Sequence, residues 1–201
     1  MRESDDEPES EHPNAIETRY NGYKFRSRLE ARWAVFFDTL GLSWRYEPQG
    51  FEIGSNQQYL PDFYLSEVGV RGTDTSGTWA EIKGELNGSA GSSNEDETLA
   101  QFVETVDEPV ALLTNRPGNG DSEWNYVHEP FDSGAVWDNH MLFMKCENNR
   151  CGRVKYEFKE SNYMTCEQCG ATCTHEHSSI NEAIENARSA RFEHGESPDT
   201  A

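Results

Sequence analysis

Hydrophobic positions between residues 27 and 41 are spaced as in an amphipathic helix. The apolar face comprises Leu29, Trp33, Phe36, Phe37 and Leu40. These residues follow one another at helical steps of three or four positions, apart from the adjacent Phe pair, and therefore share one side. Ser27 is a suitable N-cap and Gly41 a suitable terminator. The pattern predicts a helix between these two residues.

Downstream, shorter apolar segments predict strands and one further helix. The extended segments are LSWRYEPQGFEI, YLPDFYLSE, TWAEIKGE and PVALLT at 109–114, and residues 95–106 favour a helix. The order helix, strand, strand, strand, helix, strand predicts an α/β fold around a mixed sheet. After Arg116 the sequence becomes loop-rich and aromatic, although VKYEF alternates like a strand. Ser179 begins a last predicted helix, which runs to about Glu193.

The chain is strongly acidic. It carries 37 Asp and Glu residues against 17 Lys and Arg residues, for a net charge of -20. This balance argues against a general polyanion-binding surface. An acidic excess is typical either of a disordered chain or of a folded halophilic protein whose surface is adapted to high salt. Aromatic residues make up 11% of the chain and lie within the patterned segments, which favours the folded protein.

Two local basic stretches interrupt this acidic background. The first spans residues 19–32 and the second spans residues 145–159. Clustered Lys and Arg can contact phosphate groups. Equally, their long stems can cover apolar surface while the charges stay in water.

The chain begins MRESDDEPES, without the apolar run that follows the basic start of a secretory signal. No segment approaches the roughly 20 apolar residues of a membrane helix. We therefore expect a cytoplasmic protein with no membrane partner.

Two carboxylates and a lysine suggest a metal-dependent hydrolytic site. Asp62 follows Pro61 at the start of one predicted strand, and Glu81 and Lys83 lie on the next. Residues two apart on a strand point to the same face, so Glu81 and Lys83 share a face and Ile82 points to the core. Carboxylates suit Mg²⁺ or Mn²⁺, and a lysine can stabilise charge or orient water. Alone, an E-x-K strand is more often a solvated face.

Residues 20–85 resemble the PD-(D/E)XK nuclease superfamily, and in particular small phage-type and prokaryotic nuclease-like proteins. The likeness is carried by YNGYKFRSRLEARWAVFFDTLGLSWRYEPQGF, YLPDFYL and AEIKGE. It implies a restriction-endonuclease-like mixed sheet flanked by helices, and a Mg²⁺-dependent deoxyribonuclease. By resemblance, Asp62, Glu81 and Glu30 would bind Mg²⁺, and Lys83 would serve the attacking water. The polar insertion VGVRGTDTSGT departs from the simplest pattern and leaves the pairing of the two strands open.

Glu30 has a second interpretation, because Ser27-x-x-Glu30 is also a capping box. In that role its side chain would bind the backbone at the start of the helix. Arg26 and Arg28 are candidate DNA contacts near the same helix end.

All five cysteines lie in the last third of the chain. Cys146, Cys151, Cys166 and Cys169 form two close pairs, a pattern typical of a structural Zn²⁺ ribbon. Cys173, His175 and His177 are competing ligands. A closed zinc site would stabilise this segment, and Arg153 and Lys155 could contact DNA from it.

We predict four regions: an acidic disordered tail at 1–17, a nuclease-like domain at 18–130, a zinc ribbon at 143–177, and a C-terminal helix with a frayed tail at 178–201. Three functions remain open. The chain could cut DNA, bind DNA or protein without cutting, or use the ribbon to dock into a replication, transposition or defence assembly. A homodimer or a larger complex is compatible with each.

Overall fold

The structure is a computed structural model that describes residues 16–70, 77–84, 94–118, 125–128, 140–158 and 163–192. Within these ranges the chain is mixed α/β, as predicted, with three helices and several sheets. Residues 1–15 of the predicted tail and the predicted frayed end after residue 192 lie outside the described residues.

The helices are α1 (Arg28–Leu40), α2 (Asn94–Thr105) and α3 (Ser178–Ser189). The strands are β1 (Thr18–Tyr20), β2 (Tyr23–Phe25), β3 (Ser43–Tyr46), β4 (Phe51–Ile53), β5 (Gln57–Tyr59), β6 (Phe63–Ser66), β7 (Gly69–Val70), β8 (Gly77–Lys83), β9 (Val110–Thr114), β10 (Asn125–His128), β11 (His140–Cys146), β12 (Val154–Phe158), β13 (Tyr163–Thr165) and β14 (Thr172–Thr174). No helix in the described ranges is long and apolar enough to cross a membrane.

Helix α1 begins and ends where its sequence predicts. The Ser27 side chain accepts a hydrogen bond from the backbone N–H of Glu30, and Gly41 adopts the left-handed conformation at φ 78°. Glycine suits this position because it has no Cβ to clash. The Lys145 ammonium also donates to the carbonyl of Leu40 at 3.1 Å, so a residue of the second basic stretch caps the end of α1.

The predicted order of helix, strand, strand, strand, helix, strand is present in α1, β3, β6, β8, α2 and β9. Strands β3, β6 and β8 pair in an antiparallel meander, and β9 then pairs parallel to β8. A parallel neighbour requires a crossover, which α2 provides. The hairpin β4–β5 is inserted between β3 and β6. The pairing of β6 with β8 is therefore established despite the insertion, whose residues 71–76 lie outside the described part.

Among the described residues, the sheet continues beyond β9 through β10, β11, β14 and β13. The loop-rich expectation after Arg116 was thus wrong for β10 and β11, whose backbones pair with each other. The predicted strand VKYEF is confirmed as β12, which pairs with β11 and also with β7. Pairing between β7 and β12 joins the cysteine-bearing segment to the main sheet, and the division at residues 130–143 stays a prediction.

Alternation along the strands produces two apolar layers. Phe63 and Leu65 of β6 and Ile82 of β8 pack with α1 and α3 on one side of the sheet. Trp79 of β8 packs with α2 on the other side. Because side chains alternate along a strand, Glu81 and Lys83 share the face of Trp79, and Ile82 faces the α1 core as predicted.

Candidate active site and metal centre

The register of β6 and β8 brings Asp62 beside Glu81. Phe63 pairs with Ala80 in the antiparallel ladder. Asp62, just before β6, therefore lies level with Glu81, which follows Ala80 in β8. Both carboxylates are buried, with 3% of Asp62 and 7% of Glu81 exposed. Two buried acidic groups side by side are unfavourable unless cations or protons compensate them.

Asp62 is held from two directions. Its Oδ2 accepts a hydrogen bond from the backbone N–H of Ile82 at 2.8 Å, and its Oδ1 lies 2.6 Å from Nη2 of Arg26. Burial nevertheless raises the pKa of Asp62 well above its ordinary value, and the charges of Glu81 and Glu30 raise it further. The bond from Ile82 and the Arg26 charge oppose this rise without cancelling it. The site therefore favours additional positive charge at Asp62.

Glu81 has one oxygen engaged and one without a partner. Its Oε1 lies 3.2 Å from the Lys83 ammonium, while Oε2 is buried with no hydrogen-bond partner. The hydroxyl of Tyr59 is buried beside Glu81, with which it interacts, and it has no other hydrogen-bond partner among the described residues. Burial raises the pKa of Tyr59, and the nearby charge of Glu81 raises it further. Buried polar atoms with unused hydrogen-bonding capacity are costly and are typical of a site that receives a ligand.

The sequence pattern did not single out Tyr59. It lies three residues before Asp62, but its burial depends on the β4–β5 hairpin packing against α2, where its ring is 4.7 Å from that of Phe102. This contact joins residues more than 40 positions apart, so local periodicity carries no signal for it.

Glu30 lies near the two carboxylates, but both of its side-chain oxygens already accept hydrogen bonds from neighbouring residues. Oε1 accepts from the Ser27 hydroxyl at 2.6 Å, and Oε2 accepts from the Tyr46 hydroxyl at 2.6 Å and the Arg26 backbone N–H at 3.1 Å. This is a variant of the capping box, with the bond made to the residue before the N-cap. Glu30 would bind a cation only after giving up one of these bonds, so its ligand role stays a prediction.

The two candidate DNA contacts at the start of α1 differ in surroundings. Arg26 lies between two carboxylates, with Nε 2.7 Å from Glu47 and Nη2 close to Asp62 as described. Arg28 is exposed and has no ion-pair partner among the described residues. Arg26 thus faces the carboxylate site, while Arg28 faces solvent.

The four predicted zinc ligands come together. The Sγ atoms of Cys146 and Cys169 are 3.5 Å apart, those of Cys151 and Cys166 are 3.7 Å apart, and all four lie within 4.8 Å of one another. A regular tetrahedron with Zn–S bonds of about 2.3 Å places neighbouring sulfurs about 3.8 Å apart. The geometry and the thiolate donor set therefore fit a structural metal ion such as zinc.

Local backbone geometry prepares one of these thiols for metal binding. Burial raises the pKa of Cys166, but hydrogen bonds from the backbone of Cys169 and Gln168 outweigh that effect and lower the pKa to about 6. The thiolate is the form that binds metal. The turn after Cys166 therefore favours the thiolate form of this ligand.

The competing ligands lie next to this group but outside it. Cys173 pairs with Cys146 across β11 and β14 and is buried. His177 accepts a hydrogen bond from the Ser179 backbone N–H at 3.1 Å and so caps α3, where the sequence pattern favoured Ser179 as the first residue. His175 lies in the turn after β14.

The candidate DNA contacts of the ribbon also differ. Lys155 is buried, and its ammonium lies 2.5 Å from Glu167, so contact with DNA would require this ion pair to open. Arg153 lines a surface cavity of about 600 Å³, together with the ends of β3 and β6 and the Cys151 turn. This cavity adjoins Ser66, at the opposite end of β6 from Asp62, and is separate from the carboxylate site.

Comparison with known protein families, curated proteins and solved structures finds no match to this chain. The functional argument therefore rests on the geometry of its own residues.

Proposed function

We propose that this protein is a metal-dependent endonuclease of the PD-(D/E)XK type that hydrolyses DNA phosphodiester bonds. The observation that carries the proposal is the buried pair Asp62 and Glu81 beside Lys83, with the pKa of Asp62 raised and Glu81 Oε2 left without a partner. The meander β3–β6–β8 followed by a helix and the parallel strand β9 also supports a restriction-endonuclease-like fold.

In this proposal Asp62 and Glu81 hold a Mg²⁺ or Mn²⁺ ion. Such an ion, when bound, would neutralise charge on the phosphate oxygens and provide a hydroxide from bound water. The Ile82 N–H fixes the orientation of Asp62, and Glu81 holds the Lys83 ammonium at the same face. Lys83, about a third exposed, can then orient the attacking water and stabilise the developing charge. Glu30 contributes negative charge next to the ion.

The ribbon has a supporting role in the same proposal. Four thiolates fill a tetrahedral zinc site and leave no open position for chemistry. The zinc would hold the turns at Cys151 and Cys166 in place, and Arg153 would extend the DNA-binding surface from there.

One observation favours a second function, in which the fold binds DNA or a protein partner without cutting. The Arg26 guanidinium already engages Asp62 at 2.6 Å and Glu47 at 2.7 Å. If this arginine permanently compensated the carboxylates, no metal would be needed. The two functions differ in metal binding: the nuclease requires Mg²⁺ or Mn²⁺ to displace Arg26 from Asp62.

Cleavage of plasmid, linear and branched DNA, in high-salt buffer with Mg²⁺ or Mn²⁺, tests the proposal. The parent should cut at least one substrate, and Asp62→Ala and Lys83→Ala should each lose cleavage. Lys24→Ala is the matched control, because Lys24 is exposed and pairs only with Glu17 in the described part of the chain. Absence of cleavage and of metal binding in a folded, zinc-loaded parent would establish the non-cleaving alternative.

A further inference from the structure

The basic residues near the candidate active site divide into those with acidic partners and those without. Lys24 pairs with Glu17, and Arg26 pairs with Glu47 and Asp62. Close to the site, Arg28, Arg32 and Arg116 have no ion-pair partner among the described residues. Arg19, Arg45 and Arg153 also lack an ion-pair partner in the described part of the chain, so the three arginines near the site are distinguished by lying close to one another.

Helix α1 and the turn after β9 bring these three side chains together. Arg28 and Arg32 are four residues apart on α1, so they lie on the same helical face. Asn115 continues the ladder past β9, with its N–H donating to the Lys83 carbonyl at 2.8 Å. The indole N–H of Trp33 donates to the Asn115 carbonyl at 3.0 Å and so holds this turn against α1.

The same turn is fixed on its other side by α3. Nε of Arg188 donates to the Pro117 carbonyl at 2.9 Å, so the backbone on both sides of Arg116 is anchored. Asn115 adopts a left-handed conformation at φ 58°, which asparagine tolerates better than most residues. Arg116 is therefore presented by a well-fixed turn, next to the strand end that carries Lys83.

Arg32 is the most buried of the three arginines, and no carboxylate among the described residues pairs with it. Nε of Arg32 is buried and has no hydrogen-bond partner. Burial lowers the pKa of Arg32, and the charges of Arg116 and Arg28 lower it further. An anion placed among the three guanidinium groups would supply the missing acceptor and remove the mutual repulsion.

We propose that Arg28, Arg32 and Arg116 form a phosphate-binding subsite for DNA, occupied by a backbone phosphate next to the one that is cut. The assignment rests on the proposed nuclease function for the identity of the ligand. Arginine suits this role because its planar guanidinium can bind phosphate oxygens in pairs. The subsite would hold the strand so that the neighbouring phosphodiester reaches Asp62, Glu81 and Lys83.

The test compares DNA binding by the parent, the double variant Arg28→Gln/Arg116→Gln and the control Arg19→Ala. Arg19 is an exposed arginine of β1 outside the group. Affinity for a fluorescent duplex is measured by anisotropy without added Mg²⁺ or Mn²⁺, across the salt range in which circular dichroism shows the fold unchanged. Inorganic phosphate is titrated as a separate probe, and DNA cleavage by the parent is measured in parallel.

We expect the double variant to bind DNA roughly tenfold or more weakly, the loss typical of charged hydrogen bonds to one phosphate. Its slope of log affinity against log salt should fall by about one. Arg19→Ala should match the parent in both quantities, and inorganic phosphate alone should bind only weakly.

Three other outcomes would overturn the assignment. If the parent cuts DNA and the double variant has the same DNA affinity and salt slope as the parent, the phosphate subsite is wrong but the nuclease function is retained. Equal weakening by Arg19→Ala means that general surface charge, and not this group, binds DNA. A parent that binds inorganic phosphate tightly but neither binds nor cuts DNA removes both the subsite and the nuclease.

Discussion

The backbone N–H of Ile82 donates a 2.8 Å hydrogen bond to the buried carboxylate of Asp62. This bond joins β8 to the residue just before β6, and it fixes Asp62 level with Glu81. The bond alone does not compensate the buried charge, because the pKa of Asp62 remains well above its ordinary value. The metal-free site is therefore a local source of instability that a bound cation would relieve.

Asp62→Asn should stabilise the metal-free protein more and more as pH rises through the raised pKa of Asp62. Because the folded-state pKa of Asp62 is raised, its contribution to stability is fully present below about pH 3.8 and is lost as pH rises through the raised value. Asparagine keeps an oxygen for the Ile82 N–H but carries no charge. Urea unfolding at constant high salt should show the free energy of unfolding of Asp62→Asn increasing relative to that of the parent as pH rises. Glu52→Gln, which removes an exposed carboxylate of β4, is the matched control. A parallel pH profile for parent and Asp62→Asn would contradict the argument.

Arg26→Ala should strengthen Mn²⁺ binding. The Arg26 guanidinium lies 2.6 Å from Asp62 Oδ1, so it competes with a cation for that oxygen. Without it, the carboxylates lose their only described arginine partner, and the metal-free protein should become less stable while the metal gains affinity. Isothermal titration calorimetry measures the affinity, with Lys24→Ala as the control. Weaker Mn²⁺ binding in Arg26→Ala would mean that the arginine supports the metal site instead of competing with it.

Glu30→Ala should affect stability more than metal binding. Both Glu30 oxygens accept hydrogen bonds, from the hydroxyls of Ser27 and Tyr46 and from the Arg26 backbone N–H. A hydrogen bond to a charged group typically contributes about 1.5–3 kcal/mol to stability. We expect the free energy of unfolding to decrease by at least about 2 kcal/mol, because the buried donors lose their acceptor. Mn²⁺ affinity should fall less than in Glu81→Ala. A loss of affinity equal to that of Glu81→Ala would restore Glu30 as a direct ligand.

Local sequence signals predicted the elements around the candidate site well. Helix α1 and its caps follow from the spacing of five apolar residues and from Ser27 and Gly41. The E-x-K alternation on β8 correctly placed Ile82 in the core, because strand periodicity is strict.

Contacts between distant segments were not predictable in this way. Strands β10 and β11 depend on pairing with each other, and the region around them has no clear alternation. Similarly, Arg116 follows an apolar strand and has no motif of its own. It reaches α1 only because Trp33 binds the Asn115 carbonyl, a contact spanning 82 positions.

Zinc content should distinguish the four clustered cysteines from the fifth. The Sγ atoms of Cys146, Cys151, Cys166 and Cys169 lie within 4.8 Å of one another, and a tetrahedral site is complete with four ligands. Cys173 lies opposite Cys146 on the neighbouring strand and packs in the same small apolar cluster. Cys173→Ser should therefore keep one zinc per chain in elemental analysis, whereas Cys146→Ser should lose it.

Cys169→Ser makes this prediction sharper, because Cys169 is exposed and its substitution does not disturb a packed core. The Cys169→Ser protein should lose zinc and unfold at a lower urea concentration than the parent, because zinc binding is coupled to folding. Cys173→Ser should show only the smaller loss expected for placing a hydroxyl in an apolar cluster. If Cys173→Ser lost its zinc while Cys169→Ser retained it, Cys173 would be the fourth ligand, and the exposed turn at Cys169 would be free of the metal.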